Sequence, residues 1–154
     1  MNRQAGSLSH FILQKHKNNG TIIFMRHHKV MQWEKRLKTV FDEIDRELED
    51  EYGDRWPLHP ARPEEGATSN PAQDGLFNVG AAFSSGIGSK HGPGYTVDIR
   101  LSTLENIPSE VRAQIKQQVF QTLKKKLLDT FPGKKLQVAD DNGMIRIHGD
   151  LSLD

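Results

Sequence analysis

His91 and His148 carry side chains that could do acid–base chemistry near neutral pH. An imidazole beside a carboxylate can act as a general acid and base, and Asp98 is a candidate carboxylate on the stretch that follows His91. This combination gives one hypothesis, a small hydrolase-like or lyase-like enzyme that uses His91 and His148 with Asp98. The same residue types bind zinc, but no metal-ligand spacing is present. We therefore predict no metal site and identify no cofactor.

The histidine at position 91 lies in a glycine-rich segment, SSGIGSKHGPGY, residues 84–95. Its glycines allow backbone conformations in which successive N–H groups converge on an anion, and Lys90 adds a positive charge. The segment lacks the spacing of nucleotide-binding loops and should lead into a strand, so their phosphate-cradle mechanism does not apply. It predicts an anion-binding loop, and a flexible hairpin tip is the alternative. The predicted ligand-binding residues are Gly86, Gly88, Lys90, His91, Gly92, Asp98, Arg100, Arg146 and His148.

Two stretches on either side of this segment alternate in polarity, as half-buried strands do. Residues 76–83, LFNVGAAF, place Phe77, Val79 and Phe83 on one side, and residues 95–101, YTVDIRL, place Tyr95 and Val97 on one side. The alternation predicts an antiparallel pair joined by the glycine-rich segment.

Two further stretches have the apolar spacing of helices, and the last stretch has the pattern of a hairpin. Residues 30–52 carry an apolar stripe at helical spacing, formed by Trp33, Leu37, Val40, Phe41, Ile44, Leu48 and Tyr52. A second stripe comprises Val111, Ile115, Val119, Phe120, Leu123, Leu127 and Leu128, with Gly133 as the expected C-cap. In KLQVADDNGMIRIHG, Asn142 and Gly143 suit the two central positions of a type I′ turn.

The resulting order is α-β-β-α-β-β. It predicts an α+β fold, a four-stranded, mainly antiparallel sheet with two helices packed on one face. The other face should then be polar, presenting Asn78, Gly80, Ala82, Thr96, Asp98, Arg100, Gln137, Arg146 and His148. RNA-binding sheets stack bases on exposed aromatic residues, whereas here Phe77, Phe83 and Tyr95 fall on the helix-facing side. Nucleic-acid binding is therefore disfavoured, and pairing with a second copy of the chain is an alternative use of the polar face.

Charge and composition divide the chain unevenly. Residues 1–29 hold five basic and no acidic residues, although the whole chain of 154 residues has a net charge of only +1. We interpret residues 1–29 as a loosely ordered basic extension, residues 30–154 as one α+β domain, and the proline-rich residues 54–75 as a surface linker within it. Trp56 and Leu58 are expected to anchor this linker to the core.

The chain has no cysteine, which excludes disulfides and thiolate metal sites. No apolar run approaches the roughly 18 residues that span a bilayer, so we predict a soluble, cytoplasmic protein without a membrane partner. The favoured function is a binding module for an anionic small molecule or a protein partner, through residues 84–94 and the polar face of the sheet. The enzyme described above and a structural homo-oligomer are the alternatives.

Overall fold

The structure is a computed structural model that describes residues 20–152, with side chains described from residue 28. It contains helix α1 (Gly20–Tyr52), a short 3-10 helix (Pro71–Gln73), strands β1 (Phe77–Ser84) and β2 (Gly94–Leu101), helix α2 (Ser109–Thr130), and strands β3 (Leu136–Asp141) and β4 (Met144–Gly149). The predicted α+β fold with the order α-β-β-α-β-β is confirmed.

The four strands form one antiparallel sheet in the order β1-β2-β4-β3. Alternate residues of each strand contribute to one core with the helices, among them Phe77, Val97 and Ile147. The residues between them lie on the opposite side, which we call the open face. Cross-strand neighbours on that face include Thr96 opposite Arg146 and Gln137 opposite His148, as the predicted alternation requires.

Helix α1 buries the whole of its predicted apolar stripe, from Trp33 to Tyr52. It begins at Gly20, ten residues before the predicted helix, so the predicted basic extension overlaps it over residues 20–29. Residues 1–19 lie outside the described residues. The negative charge of the C-terminal half of α1 is partly neutralised by α2, because Lys126 forms ion pairs with both Glu43 and Glu47.

Helix α2 differs from the prediction at its C-terminal end. Leu128 was placed in the buried stripe, and that is wrong, since it is 67% exposed. At this end of the helix Leu127 and Phe131 contact the core instead. The centroid of the Phe131 ring lies 4.3 Å from that of the Trp33 ring. Gly133 has φ +85° but lies two residues beyond the actual cap residue, Phe131.

The β3–β4 hairpin turns at Asn142 and Gly143, which have φ values of 53° and 85°. Positive φ at both central residues is the signature of the predicted type I′ turn. The Gly143 N–H also donates to Asp140, 2.8 Å away. The turn fixes the register that places Arg146 and His148 on the open face.

Two charged side chains hold the proline-rich residues 54–75 in place. The Arg62 guanidinium donates hydrogen bonds to four backbone carbonyls, those of Ala72, Asp74, Gly75 and Phe77. The Asp74 carboxylate accepts from both the backbone N–H and the hydroxyl of Thr68. Trp56 packs against the core, as expected.

The outer edge of β1 is covered by carboxylates of α1. The Phe77 N–H donates to Glu49 at 2.6 Å, and the Val79 N–H lies within hydrogen-bonding reach of Asp45. Because Arg62 also donates to the Phe77 carbonyl, this edge offers few free backbone groups to a second chain. Covering an edge strand in this way hinders edge-to-edge pairing along this part of β1.

No helix in the part of the chain that the structure describes combines the length and the hydropathy of a membrane span.

Candidate functional site

The glycine-rich segment folds back over the open face instead of extending away as a hairpin tip. The Ser89 hydroxyl donates to Asp141 Oδ2, 2.7 Å away at the end of β3, and the Gly92 carbonyl accepts a hydrogen bond from Arg146 on β4 at 2.5 Å. The segment therefore starts from β1 and passes over β2 and β4 to reach β3. We call residues 85–93 the covering loop.

Two glycines form a narrow neck at the base of the covering loop. A Cβ on Gly86 would lie 2.2 Å from the Gly92 carbonyl carbon, and both residues have positive φ, +88° and +74°. A side chain at position 86 would therefore clash with the opposite limb of the loop as well as strain the backbone. The neck explains why the connection is long and rich in glycine, whereas an open hairpin tip would need neither property.

Arg146 lies beneath the covering loop and is only 3% exposed. Its Nη2 donates to the Gly92 carbonyl, but its Nε has no hydrogen-bond partner. Within residues 28–152 no carboxylate forms an ion pair with this guanidinium. An arginine stays protonated in proteins, so Arg146 is a buried cation without a counter-ion in the described part of the chain.

His91 and His148 meet beside this guanidinium. Their ring centroids are 4.5 Å apart and the rings are tilted by 33°. Burial lowers the pKa of His148, and the neighbouring His91 and Arg146 lower it further, while Asp141 acts in the opposite direction. Burial disfavours the charged imidazole because it removes water, whereas the neighbouring positive charges disfavour it by repulsion.

The predicted partners Asp98 and Arg100 lie elsewhere on the open face. They form an ion pair with each other at 2.6 Å, and both side chains are exposed. Gly94 is the β2 residue opposite His148, and Asp98 is four residues farther along the strand, or about 13 Å. In the described residues no hydrogen bond or ion pair joins Asp98 to either histidine. His91 and His148 therefore lie together without a bond to Asp98 in the described residues.

The backbone N–H groups of the covering loop are partly occupied by the loop itself. Gly86 N donates to the Ser84 hydroxyl, Ser89 N to the Gly86 carbonyl, and His91 N to the Ser89 hydroxyl. These three groups do not converge on an external anion. The positive side of the site therefore consists of side chains, Arg146 and the histidine pair, with Lys90 exposed on the loop.

Two residues of the site were missed from the sequence, Ser89 and Asp141. Continuing the alternation of Gln137 along β3 places Ala139 and Asp141 on the open face, so the position of Asp141 was available from the pattern. Ser89 had no such signal, because its contact depends on the loop folding back over three strands. Asp141 matters electrostatically because its negative charge raises the pKa of His148, against the other effects.

Concave regions also occur away from the covering loop. A cavity of 220 Å³ lies between the end of β2, the start of α2 and the β3–β4 turn, and is lined largely by core side chains such as Ile99 and Ile115. A second cleft, of 590 Å³, lies between the C-terminal end of α1 and residues 54–65, and most of the charged side chains that line it are acidic. Neither holds a buried group that lacks a partner. Within the described part of the chain, no three metal-ligating side chains cluster as a metal site requires.

The comparisons with known proteins concern the whole of this fold. A family described as "Uncharacterised protein" matches residues 28–149, a span that contains the covering loop, Arg146 and both histidines of the pair. A protein of Borreliella burgdorferi, also described as uncharacterized, is 33% identical over 121 residues, which cover 79% of this chain and 94% of that protein. No solved structure matches the chain.

Proposed function

The chain belongs to the family described as "Uncharacterised protein", and we propose that it is a binding module for an anionic small molecule. The anion binds between the covering loop and the open face, in contact with the Arg146 guanidinium. The observation that carries the proposal is the buried Arg146 with its unpartnered Nε. A buried polar group without a partner costs about 1 to 3 kcal/mol, more when it is charged, and an oxyanion would satisfy it.

The geometry also indicates how the anion reaches Arg146. The Gly92 carbonyl, which carries only a partial negative charge, is the acceptor on Nη2. An oxyanion makes a stronger, charge-assisted hydrogen bond and can engage Nη2 and Nε together in bidentate fashion. Binding therefore requires the covering loop to move far enough for the anion to replace this carbonyl. The glycines at the neck permit such a change of backbone conformation.

Arg146 would not serve a cation site, because a guanidinium repels metal ions. The histidine pair alone offers two nitrogen ligands, whereas zinc sites use three or four. The positive charge of Arg146 beside both rings therefore favours an anion over a metal ion as the ligand.

The test is a titration of the full chain with inorganic phosphate, followed by nitrogen–proton NMR spectra that resolve arginine Nε–H groups. We expect a saturable shift of the Arg146 Nε–H resonance and a heat of binding by calorimetry. Arg146→Met keeps the apolar stem and removes the charge, so it should weaken phosphate binding at least about tenfold.

Arg46→Met is the matched control for this titration. Arg46 is exposed on α1, on the helix-covered side of the sheet, so its loss removes the same charge from the chain without touching the site. Equal weakening in both variants would show that phosphate responds only to net charge. Unchanged affinity in Arg146→Met would overturn the proposal.

A further inference from the structure

The histidine pair beside Arg146 determines which anion the site can hold. We propose that the ligand is a dianion of the phosphate-monoester class, and that its binding is accompanied by proton uptake on the pair formed by His91 and His148. This inference rests on the proposed function and specifies its ligand. It follows from the charges that face one another under the covering loop.

The charged and titratable groups around the pair come from three elements. Arg146 and His148 lie on β4, His91 lies on the covering loop, and Asp141 lies at the end of β3, where Ser89 holds it. On β3 the cross-strand neighbour of His148 is the neutral Gln137, and on β2 it is Gly94. Lys90 is exposed on the loop. The net charge beneath the loop is thus decided by Arg146, Asp141 and the protonation of two imidazoles.

With both imidazoles neutral, the negative charge of Asp141 weakens the attraction that the Arg146 cation exerts on an anion, although no ion pair joins the two side chains in the described residues. Each proton taken up by the pair adds one positive charge. Two protons would give a net charge of two, which matches a dianion and not a monocarboxylate. Buried charges are stable only when they are matched and hydrogen-bonded, so the dianion and the protons are expected to enter together.

The pair is built to respond in this way. Burial, the His91 ring 4.5 Å away and the Arg146 cation together hold the pKa of His148 below its usual value. A dianion between the rings and the guanidinium reverses the sign of the local field. By linkage, each proton taken up on binding increases affinity about tenfold per unit fall in pH, until the free imidazoles themselves become protonated.

Two ligand comparisons test the inference. Sulfate remains a dianion between about pH 6 and pH 8, so any pH dependence of its affinity near the imidazole pKa belongs to the protein. We expect sulfate to bind at least about tenfold more tightly at pH 6 than at pH 8. Methyl phosphate and methyl sulfate have the same shape but differ in charge near pH 7.5, and methyl phosphate should bind at least about tenfold more tightly.

Proton uptake can be counted directly. Calorimetric titrations of sulfate in two buffers with different ionisation enthalpies at the same pH should give heats that differ by the uptake of about one to two protons. His148→Gln should reduce both the buffer difference and the pH dependence. His59→Gln is the control, because His59 lies in residues 54–75 and its ring accepts a hydrogen bond from Ala61 N–H, outside the site.

The outcomes separate this inference from the proposed function. Sulfate binding with equal affinity at both pH values and no buffer difference would overturn proton uptake while leaving anion binding at Arg146 intact. Equal affinity for methyl sulfate and methyl phosphate would overturn the dianion preference alone. Failure of sulfate, phosphate and methyl phosphate to bind at either pH would overturn both proposals.

Discussion

At the outer edge of β1, Asp45 and Glu49 are buried against backbone N–H groups, whereas under the covering loop Arg146 is buried against a single backbone carbonyl. Asp45 also has an unpartnered oxygen, Oδ2. Burial, together with the neighbouring Glu49, raises the pKa of Asp45 to about 8. A carboxyl group in this position can therefore shed its charge by taking up a proton at neutral pH.

Arginine has no such alternative, since it cannot lose its proton under ordinary conditions. This difference separates two kinds of buried charge. The carboxyl groups at the β1 edge accept hydrogen bonds from strand N–H groups, and Asp45 also lies near Arg62, so they serve the fold. Arg146 keeps a charge that the described residues leave without a counter-ion. A missing partner on a group that cannot neutralise itself is a better indicator of a binding site than burial alone.

The largest expected effect is a loss of stability on replacing Arg62, the cation near the buried carboxyl groups of the β1 edge. Arg62→Met removes four hydrogen bonds to backbone carbonyls and a cation that favours the charged forms of Asp45 and Asp74. We expect a loss of about 3 to 5 kcal/mol in the free energy of unfolding, measured by urea denaturation. Arg55→Met, which removes only a stacking contact with the Tyr52 ring, should cost less than about 1 kcal/mol. A loss below 1 kcal/mol for Arg62→Met would mean that residues 54–75 are not tied to the fold in this way.

A smaller effect is expected at Asp45. Its raised pKa means that the folded chain retains a proton that the unfolded chain loses above about pH 4. The contribution of Asp45 to the free energy of unfolding should therefore fall as the pH rises from 4 to 8 and level off above pH 8.

Asp45→Asn keeps the acceptor for Val79 N–H and cannot ionise, so it should remove this fall and raise the free energy of unfolding more at pH 8 than at pH 5. Urea denaturation of both proteins at pH 5 and pH 8 measures the difference. Parallel pH profiles for the two proteins would show that Asp45 is ionised in the folded chain and is paired more strongly than its surroundings indicate.

The sequence predicted more of the fold than of the site for a physical reason. Alternation along β1 to β4 and the Asn142–Gly143 turn are local signals, and they placed Arg146 and His148 on one face in the correct phase. The path of the covering loop is not local. It depends on contacts across three strands, such as that of Ser89 with Asp141, and no spacing in the segment encodes them.

The same limitation applies at the β1 edge. Asp45 and Glu49 have the spacing of an ordinary acidic helix surface. Only the packing of α1 beside β1 shows that they accept hydrogen bonds from N–H groups of the edge strand. The exposed Leu128 is the converse case, since helical spacing alone cannot locate the boundary of a stripe near the end of a helix.

The stability of an Arg146 variant tests whether this buried arginine, unlike Arg62, is dispensable for the fold. A buried charge carries a desolvation cost that only a partner can offset, so replacing an unpaired one by an apolar residue of similar length removes that cost. In buffer free of phosphate and sulfate, Arg146→Met should change the free energy of unfolding by less than about 1 kcal/mol or increase it. The contrast with Arg62→Met is the point of the experiment. A loss comparable to that of Arg62→Met would make Arg146 a structural clamp for the covering loop.

The smallest expected effect concerns Asp141, which opposes an anion from the end of β3. Asp141→Asn retains an acceptor for the Ser89 hydroxyl and removes one negative charge close to the histidine pair. Sulfate affinity should rise about threefold, since an interaction between partly solvated charges is worth well under 1.4 kcal/mol. The effect should shrink in high salt, because screening weakens the same interaction. Asp98→Asn, in the exposed pair with Arg100, is the distant control. If both variants raised affinity equally, the site would be sensing the charge of the whole open face rather than the groups beneath the loop.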